Sequence, residues 1–246
     1  MPSKTNKNKS AVATTGSDVP AYLRNQGPAR GSENVGQEDI VIPRLELVQD
    51  LSGYVKKNDP QYNPDAEAGM IVNTVTMELF PALGVLICPV VYSRHELLWI
   101  PRAKGGGFRG SYATKAEARE AADLLEEMTE MVSTPQHLCL HLVKGKPPAE
   151  VVISMPKTKE KISRRLNTLV RLAESDRFSR CYRLGSVQES GAKGDYYNFS
   201  IESAGFPDEG VYRLAEALYE SISSGDRTVN VHVDADNKEG GDDGEF

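Results

Sequence analysis

Cysteine, histidine and long apolar runs are all scarce in this chain of 246 residues. The three cysteines, Cys88, Cys139 and Cys181, are far apart, odd in number and without any C-x-x-C spacing. That argues against a disulfide framework and against a standard structural zinc site. No apolar run approaches the ~20 residues that a membrane helix needs, so no membrane partner is expected. The opening segment MPSKTNKNKSAVATTG holds basic residues but no apolar h-region, unlike a secretory signal, and a cytoplasmic protein is expected. With four histidines and no Ser-His-Asp pattern, catalytic groups are few. Glu160-Lys161 is the nearest approach to a nuclease-like acid and base, and it lacks an Asp partner on a strand. No enzymatic activity is expected.

Two further motifs are incomplete. In His137-Leu138-Cys139-Leu140-His141, strand alternation puts His137, Cys139 and His141 on one face. Same-face neighbours on one strand seldom converge on one ion, so packed or exposed strand residues are expected there, with no metal and no cofactor. The Gly105-Gly106-Gly107 run is followed by no Gly-Lys-Ser/Thr, which excludes a Walker A loop. It does not complete a G-x-G-x-x-G turn either, which excludes a dinucleotide fingerprint.

What is present begins with an uneven charge. Hydrophobic residues make up 39% and charged ones 26%, an ordinary globular balance that allows a sizeable core. The net charge is −6, which by itself argues against a nucleic-acid partner. From Asp234 to Phe246, however, six acids face the single base Lys238, a net −5. The remainder is close to neutral with its cations clustered, so the overall balance misleads.

Residues 1–37 lack hydrophobic periodicity and are expected to be a disordered arm. Structure is expected from about Ile40, with Pro43 marking an edge or an irregular start. Met70–Thr76, Gly84–Tyr92 and the extended path His95–Pro101 read as strands, with GVLICPVV buried on both faces. Thr114–Val132 reads as a helix opened by a Thr114/Glu117 capping box. Strands His137–Val143 and Glu150–Met155 follow. A last helix is capped by Asp208 and ended by Gly225, with Val211, Leu214, Ala215, Leu218 and Ile222 as its buried stripe. Thr228–Val233 alternates as a final strand. This order lacks regular βαβ alternation. It predicts an α+β fold around a curved antiparallel sheet, specifically an OB-like barrel with inserted helices spanning residues 38–233, and an acidic tail over 234–246.

Two stretches carry cations beside aromatic rings. In Met155–Phe199 the segment Lys157–Glu174 reads as a helix with Ile162, Leu166, Leu169 and Ala173 on one face. Lys157, Lys161, Arg164 and Arg171 lie nearly opposite. The segment from Cys181 to Phe199 reads as a hairpin turning near Gly191 and Gly194, with Tyr182, Arg183, Lys193, Tyr196 and Tyr197. In WIPRAKGGGFRGSY, Trp99, Phe108 and Tyr112 alternate with Arg102, Lys104 and Arg109 around the glycines. Cations meet phosphates and flat rings stack on unpaired bases, so these residues are the candidate contacts for a single nucleic-acid strand.

The acidic, glycine-containing tail ending in Phe246 resembles that of single-stranded-DNA-binding proteins from bacteria and tailed phages. The order GMIVNTVT, VLICPVVY and then a basic helix after VVISMP is similar to phage proteins of that kind. The resemblance implies sequence-tolerant binding of single-stranded DNA in phage replication or recombination. It also implies recruitment of replication proteins through Asp242, Asp243, Glu245 and Phe246. A single-strand-binding transcription cofactor that recruits a phage RNA polymerase is the alternative, with a nuclease or a structural virion protein behind it. The oligomeric state is not legible.

Overall fold

The computed structural model describes residues 31–36, 39–125, 128–192 and 194–227. Contacts divide the chain into two units between Asp39 and Ile40. In the first unit, residues 31–36 contain turns, one closed where the Gly31 N–H donates to the Glu33 carboxylate at 2.9 Å.

The second unit is α+β, with every named strand pairing antiparallel. Its small sheet is β1 (Leu45–Leu47), β2 (Ile71–Asn73) and β3 (Leu79–Phe80), in that order. Its large sheet is built from β4 (Val85–Ile100), β5 (Gly107–Tyr112), β6 (Glu130–Leu142), β7 (Ala149–Ser154), β8 (Tyr182–Gly191) and β9 (Gly194–Ser203). The strand order is β7-β6-β4-β8-β9, with β5 added to the far end of β4. The helices are α1 (Lys115–Asp123), α2 (Glu160–Leu172) and α3 (Glu209–Ser223). β7 and β9 end the ladder and do not pair with each other, so hydrogen bonding does not close this sheet into a barrel.

β4 organises the sheet. The strand expected over Gly84–Tyr92 and the extended path continuing it over His95–Pro101 form one strand of 16 residues, Val85–Ile100. Pro89 lacks an N–H to give to the ladder, and the register against β6 shifts between Pro89 and Val91. Such a bulge bends a strand instead of ending it. The apolar run is buried on both faces, as its composition predicts. Val85 and Ile87 join a core with Leu45, Leu47 and Ile71 of the small sheet, Ile162 and Leu166 of α2, and Phe199 of β9. Cys88 and Val90 join a second core under α3, with Ala215 and Leu218.

Three boundaries differ from the sequence expectation. The helix from Thr114 keeps its capping box but ends at Asp123, and residues from Glu130 onward belong to β6. There Val132 pairs with Leu97 and Thr134 with His95, so long-range pairing overrides the local helical period. β2 stops at Asn73 because that side chain accepts from the Val75 and Thr76 N–H groups, both at 3.0 Å, and turns the chain. Lys157–Lys159 forms a single 3-10 turn before α2, entered through Lys157 at φ 52°. The expected strand Thr228–Val233 lies outside the described residues. Among those described, no helix is long and apolar enough to cross a membrane.

Candidate nucleic-acid interface

α2 buries Ile162 and Leu166 in the core, which turns its cations outward. Its N-terminal cations are matched by acids from neighbouring elements. Lys157 lies 3.6 Å from Glu130 of β6. Lys161 lies 2.6 Å from Glu189 of β8. Arg164 lies 3.1 Å from Glu160, one turn back on the same helix. Glu160 also takes Arg94 of β4 at 2.9 Å. Arg171 is exposed in the last turn of α2, where a cation also complements the helix dipole.

Arg94 is held on several sides. Its Nε donates to the Tyr92 hydroxyl at 3.3 Å and its Nη1 to Ser133 Oγ at 3.1 Å. Ser133 in turn donates to the buried Glu96 carboxylate at 3.1 Å. The Tyr92 bond and the Glu160 carboxylate both raise the pKa of Arg94. Partial burial works to raise the Glu160 carboxyl, but Arg164 and Arg94 outweigh it and hold it below the usual range.

Glu189 forms a second node. Its Oε2 accepts from Lys161 Nζ at 2.6 Å, the Tyr196 hydroxyl at 2.8 Å and Asn198 Nδ2 at 3.1 Å. The bond to Glu189 raises the pKa of both Lys161 and Tyr196. The half-buried Tyr196 ring is thereby fixed beside the basic helix. Tyr197, on the opposite side of β9, has a different task. Its ring packs on Gly69, whose φ is +90°, and a Cβ there would meet the ring at 2.6 Å. Its backbone N–H and C=O are both bonded by the Gln49 side chain, at 2.9 and 2.8 Å.

Tyr182 needs a correction as a stacking residue. It is 1% exposed within the core, and opposite Ile87 in the ladder. Its ring completes the packing of β8 against β4 and has no face to offer a ligand. Arg183, next to it, is exposed by alternation.

The glycine loop is the turn between β4 and β5. Gly105, Gly106 and Gly107 all take positive φ, and Lys104 and Gly106 donate to the Pro101 carbonyl at 2.8 and 3.2 Å. Three glycines are therefore explained by the turn itself. Lys104 and Arg109 are exposed beside it. Trp99 and Phe108, half-buried, pack at 5.2 Å between ring centroids with planes tilted by 58°. Tyr112 folds back over Gly110. In the ladder Trp99 lies opposite Glu130, the partner of Lys157 in the turn before α2. Alternation puts Trp99 on the opposite face from Arg94. Lys193, the side chain of Arg102 and the tail residues Asp242, Asp243, Glu245 and Phe246 lie outside the described residues.

Beneath α2 lies a polar cluster that the sequence does not reveal. His137 is fully buried, with Nε2 2.8 Å from Ser163 Oγ and Nδ1 2.6 Å from Arg177 Nη2. A guanidinium can only donate, so Nδ1 accepts and Nε2 carries the proton. Burial and the Arg177 charge push the His137 pKa down to about 3. The imidazole is neutral and donates to Ser163, the reverse of what activates a serine nucleophile. The three strand residues considered as metal ligands are each engaged elsewhere. His137 serves this cluster, Cys139 lies in the core, and His141 packs edge-on to Phe80 at 4.9 Å. Among the described residues, no group of three or more His, Cys, Asp or Glu could hold a metal ion.

Sequence reasoning misses Arg94, Tyr92, Glu130 and Glu189, and it weighs Glu160 only as a nuclease-like acid. Their signal in the sequence is faint. YSRHE is a polar interruption of an apolar strand, and nothing local tells which helix it faces.

A family model described as Pam3 phage gp34-like protein matches residues 8–228. No match is found among curated proteins or among solved structures.

Proposed function

The chain belongs to the Pam3 phage gp34-like protein family, and from that premise we propose that it binds single-stranded DNA with little sequence preference. Replication or recombination of phage DNA is the setting proposed. The observation that carries this is the convergence of Lys161, Arg164 and Arg94 from a helix and a strand, with the Tyr196 and Tyr92 rings beside them. Cations next to rings suit a flexible strand whose bases are unpaired. The Trp99–Phe108 pair, on the other face of β4 from Arg94, is proposed as a separate contact for the strand.

The OB-like architecture belongs to the same proposal. Two links span the gap between the ends of the large sheet. The Val152 N–H of β7 donates to the Pro43 carbonyl beside β1 at 2.8 Å, and the Gln49 side chain after β1 holds β9 at Tyr197. A barrel completed by the small sheet in place of one continuous ladder fits those links. The acidic segment 234–246 is proposed to contact replication proteins and to compete with DNA for the cations.

Binding of labelled oligonucleotides tests the function. Single strands are expected to bind more tightly than duplex at equal salt. The logarithm of affinity is expected to fall with the logarithm of salt at about −0.7 per phosphate contact. Equal affinity for both forms would overturn the proposal.

A further inference from the structure

Glu160 is bonded differently from the other acids of this surface. Its Oε1 is met by two guanidiniums from separate elements, Arg94 at 2.9 Å and Arg164 at 3.1 Å. No other hydrogen bond to its side chain is present among the described residues. Glu189, by contrast, is tied to the buried Asn198 as well as to Lys161 and Tyr196, and so has a structural task. Two guanidiniums converging on one oxyanion match the way phosphate is held. The site is open. The Arg94 and Arg164 side chains are 37% and 70% exposed and the Glu160 side chain 21%. Arg94 is also preorganised, because Tyr92 and Ser133 fix it and Ser133 rests on the buried Glu96. Two cations share this one partly exposed carboxylate. An exposed pair of this kind yields readily to a better anion.

We propose that the Glu160 carboxylate occupies a phosphate-binding position, and that a phosphodiester of single-stranded DNA takes its place between Arg94 and Arg164 when a strand binds. Glu160 then sets the affinity by competing for both guanidiniums. This inference rests on the single-strand function proposed above.

The test uses the full chain and a fluorescein-labelled oligothymidylate, with anisotropy followed between about 50 and 300 mM NaCl. Wild type, Glu160→Gln and Glu216→Gln are compared. The last removes the same charge on α3, where Glu216 pairs only at the surface with Arg213. Glu160→Gln is expected to tighten binding by about threefold or more at low salt, and to steepen the salt slope by about 0.7. Glu216→Gln is expected to change affinity by less than about twofold, since it sits on another element. The gain is expected to vanish in an Arg94→Gln background and, should that variant fold poorly, in an Arg164→Gln background on the exposed helix face. A gain no larger than that of Glu216→Gln, or one that persists without both guanidiniums, overturns the inference while the single-strand function stands. Wild type that shows no salt-dependent binding overturns that function, and this inference with it.

Discussion

At the scale of single residues, burial decides which aromatic or charged side chain can serve a ligand. Tyr182 and Tyr196 look alike in the sequence, yet one is in the core and the other sits on Glu189 at the surface. The Tyr182 hydroxyl is buried without a hydrogen-bond partner among the described residues. Tyr182→Phe removes that unmet group and keeps the ring, so stability is expected to stay within about 0.5 kcal/mol or to rise, with DNA binding unchanged. Tyr182→Ala empties the core site and is expected to cost about 3–5 kcal/mol by urea denaturation, the range for losing a buried aromatic side chain. His137 makes a pH prediction. Its folded pKa, about 3, lies below the ordinary 6.5, so the unfolded chain binds the proton that the folded one refuses. Its stabilisation is complete above pH 6.5 and is lost as pH falls from there toward 3. Between pH 6 and 5 the loss is expected to approach about 1.4 kcal/mol per pH unit for this group. Burial lowers the His141 pKa as well, which adds in the same direction. An NMR titration in which the His137 ring of the folded chain protonates near 6.5 would contradict this.

At the scale of elements, pairing partners explain both the hairpin and the helix. β4 and β5 carry the chain's one tryptophan, so its fluorescence reports on that hairpin alone. Trp99 packs on Phe108 from one side and stays half-buried, so partial quenching is expected when oligothymidylate is added. Trp99→Ala is expected to weaken binding by about 1–3 kcal/mol if the ring stacks on a base. Fluorescence indifferent to saturating DNA would remove this hairpin from the interface and leave the α2 surface as its whole. The amphipathic period of α2 made its two faces legible without any structure. The termination of α1 was not legible, because β6 is stabilised by β4, which lies about thirty residues earlier in the sequence.

At the scale of the whole molecule, charge is segregated. Residues 234–246 hold a net −5 of the chain's −6, so the rest is close to neutral and carries its cations in clusters. Deleting 234–246 is expected to tighten single-strand binding and raise the association rate at low salt, and to matter little at high salt, where screening is short-ranged. Stopped-flow association with and without the segment checks both. An unchanged rate at low salt would leave the segment a recruitment role only.

The sequence by itself determined what local chemistry controls. Apolar periodicity set the buried face of α2 and most of that of α3, where Ala215 and Leu218 are buried but Leu214, expected in the same stripe, is exposed; Asp208 set the start of α3, and Thr114 with Glu117 set the start of α1. The glycine pair set the turn between β8 and β9, and the order of elements set the α+β class. Tertiary structure decided what depends on residues far apart in the chain. It carried β4 through the Pro89 bulge and on through Ser93 and Arg94 as one strand, and it buried Tyr182 while leaving Tyr196 at the surface. It also brought Arg94 to Glu160, 66 positions along the chain, because antiparallel pairing on β6 aims that strand face at α2. A local pattern fixes which way a side chain points, but only long-range packing fixes what it meets.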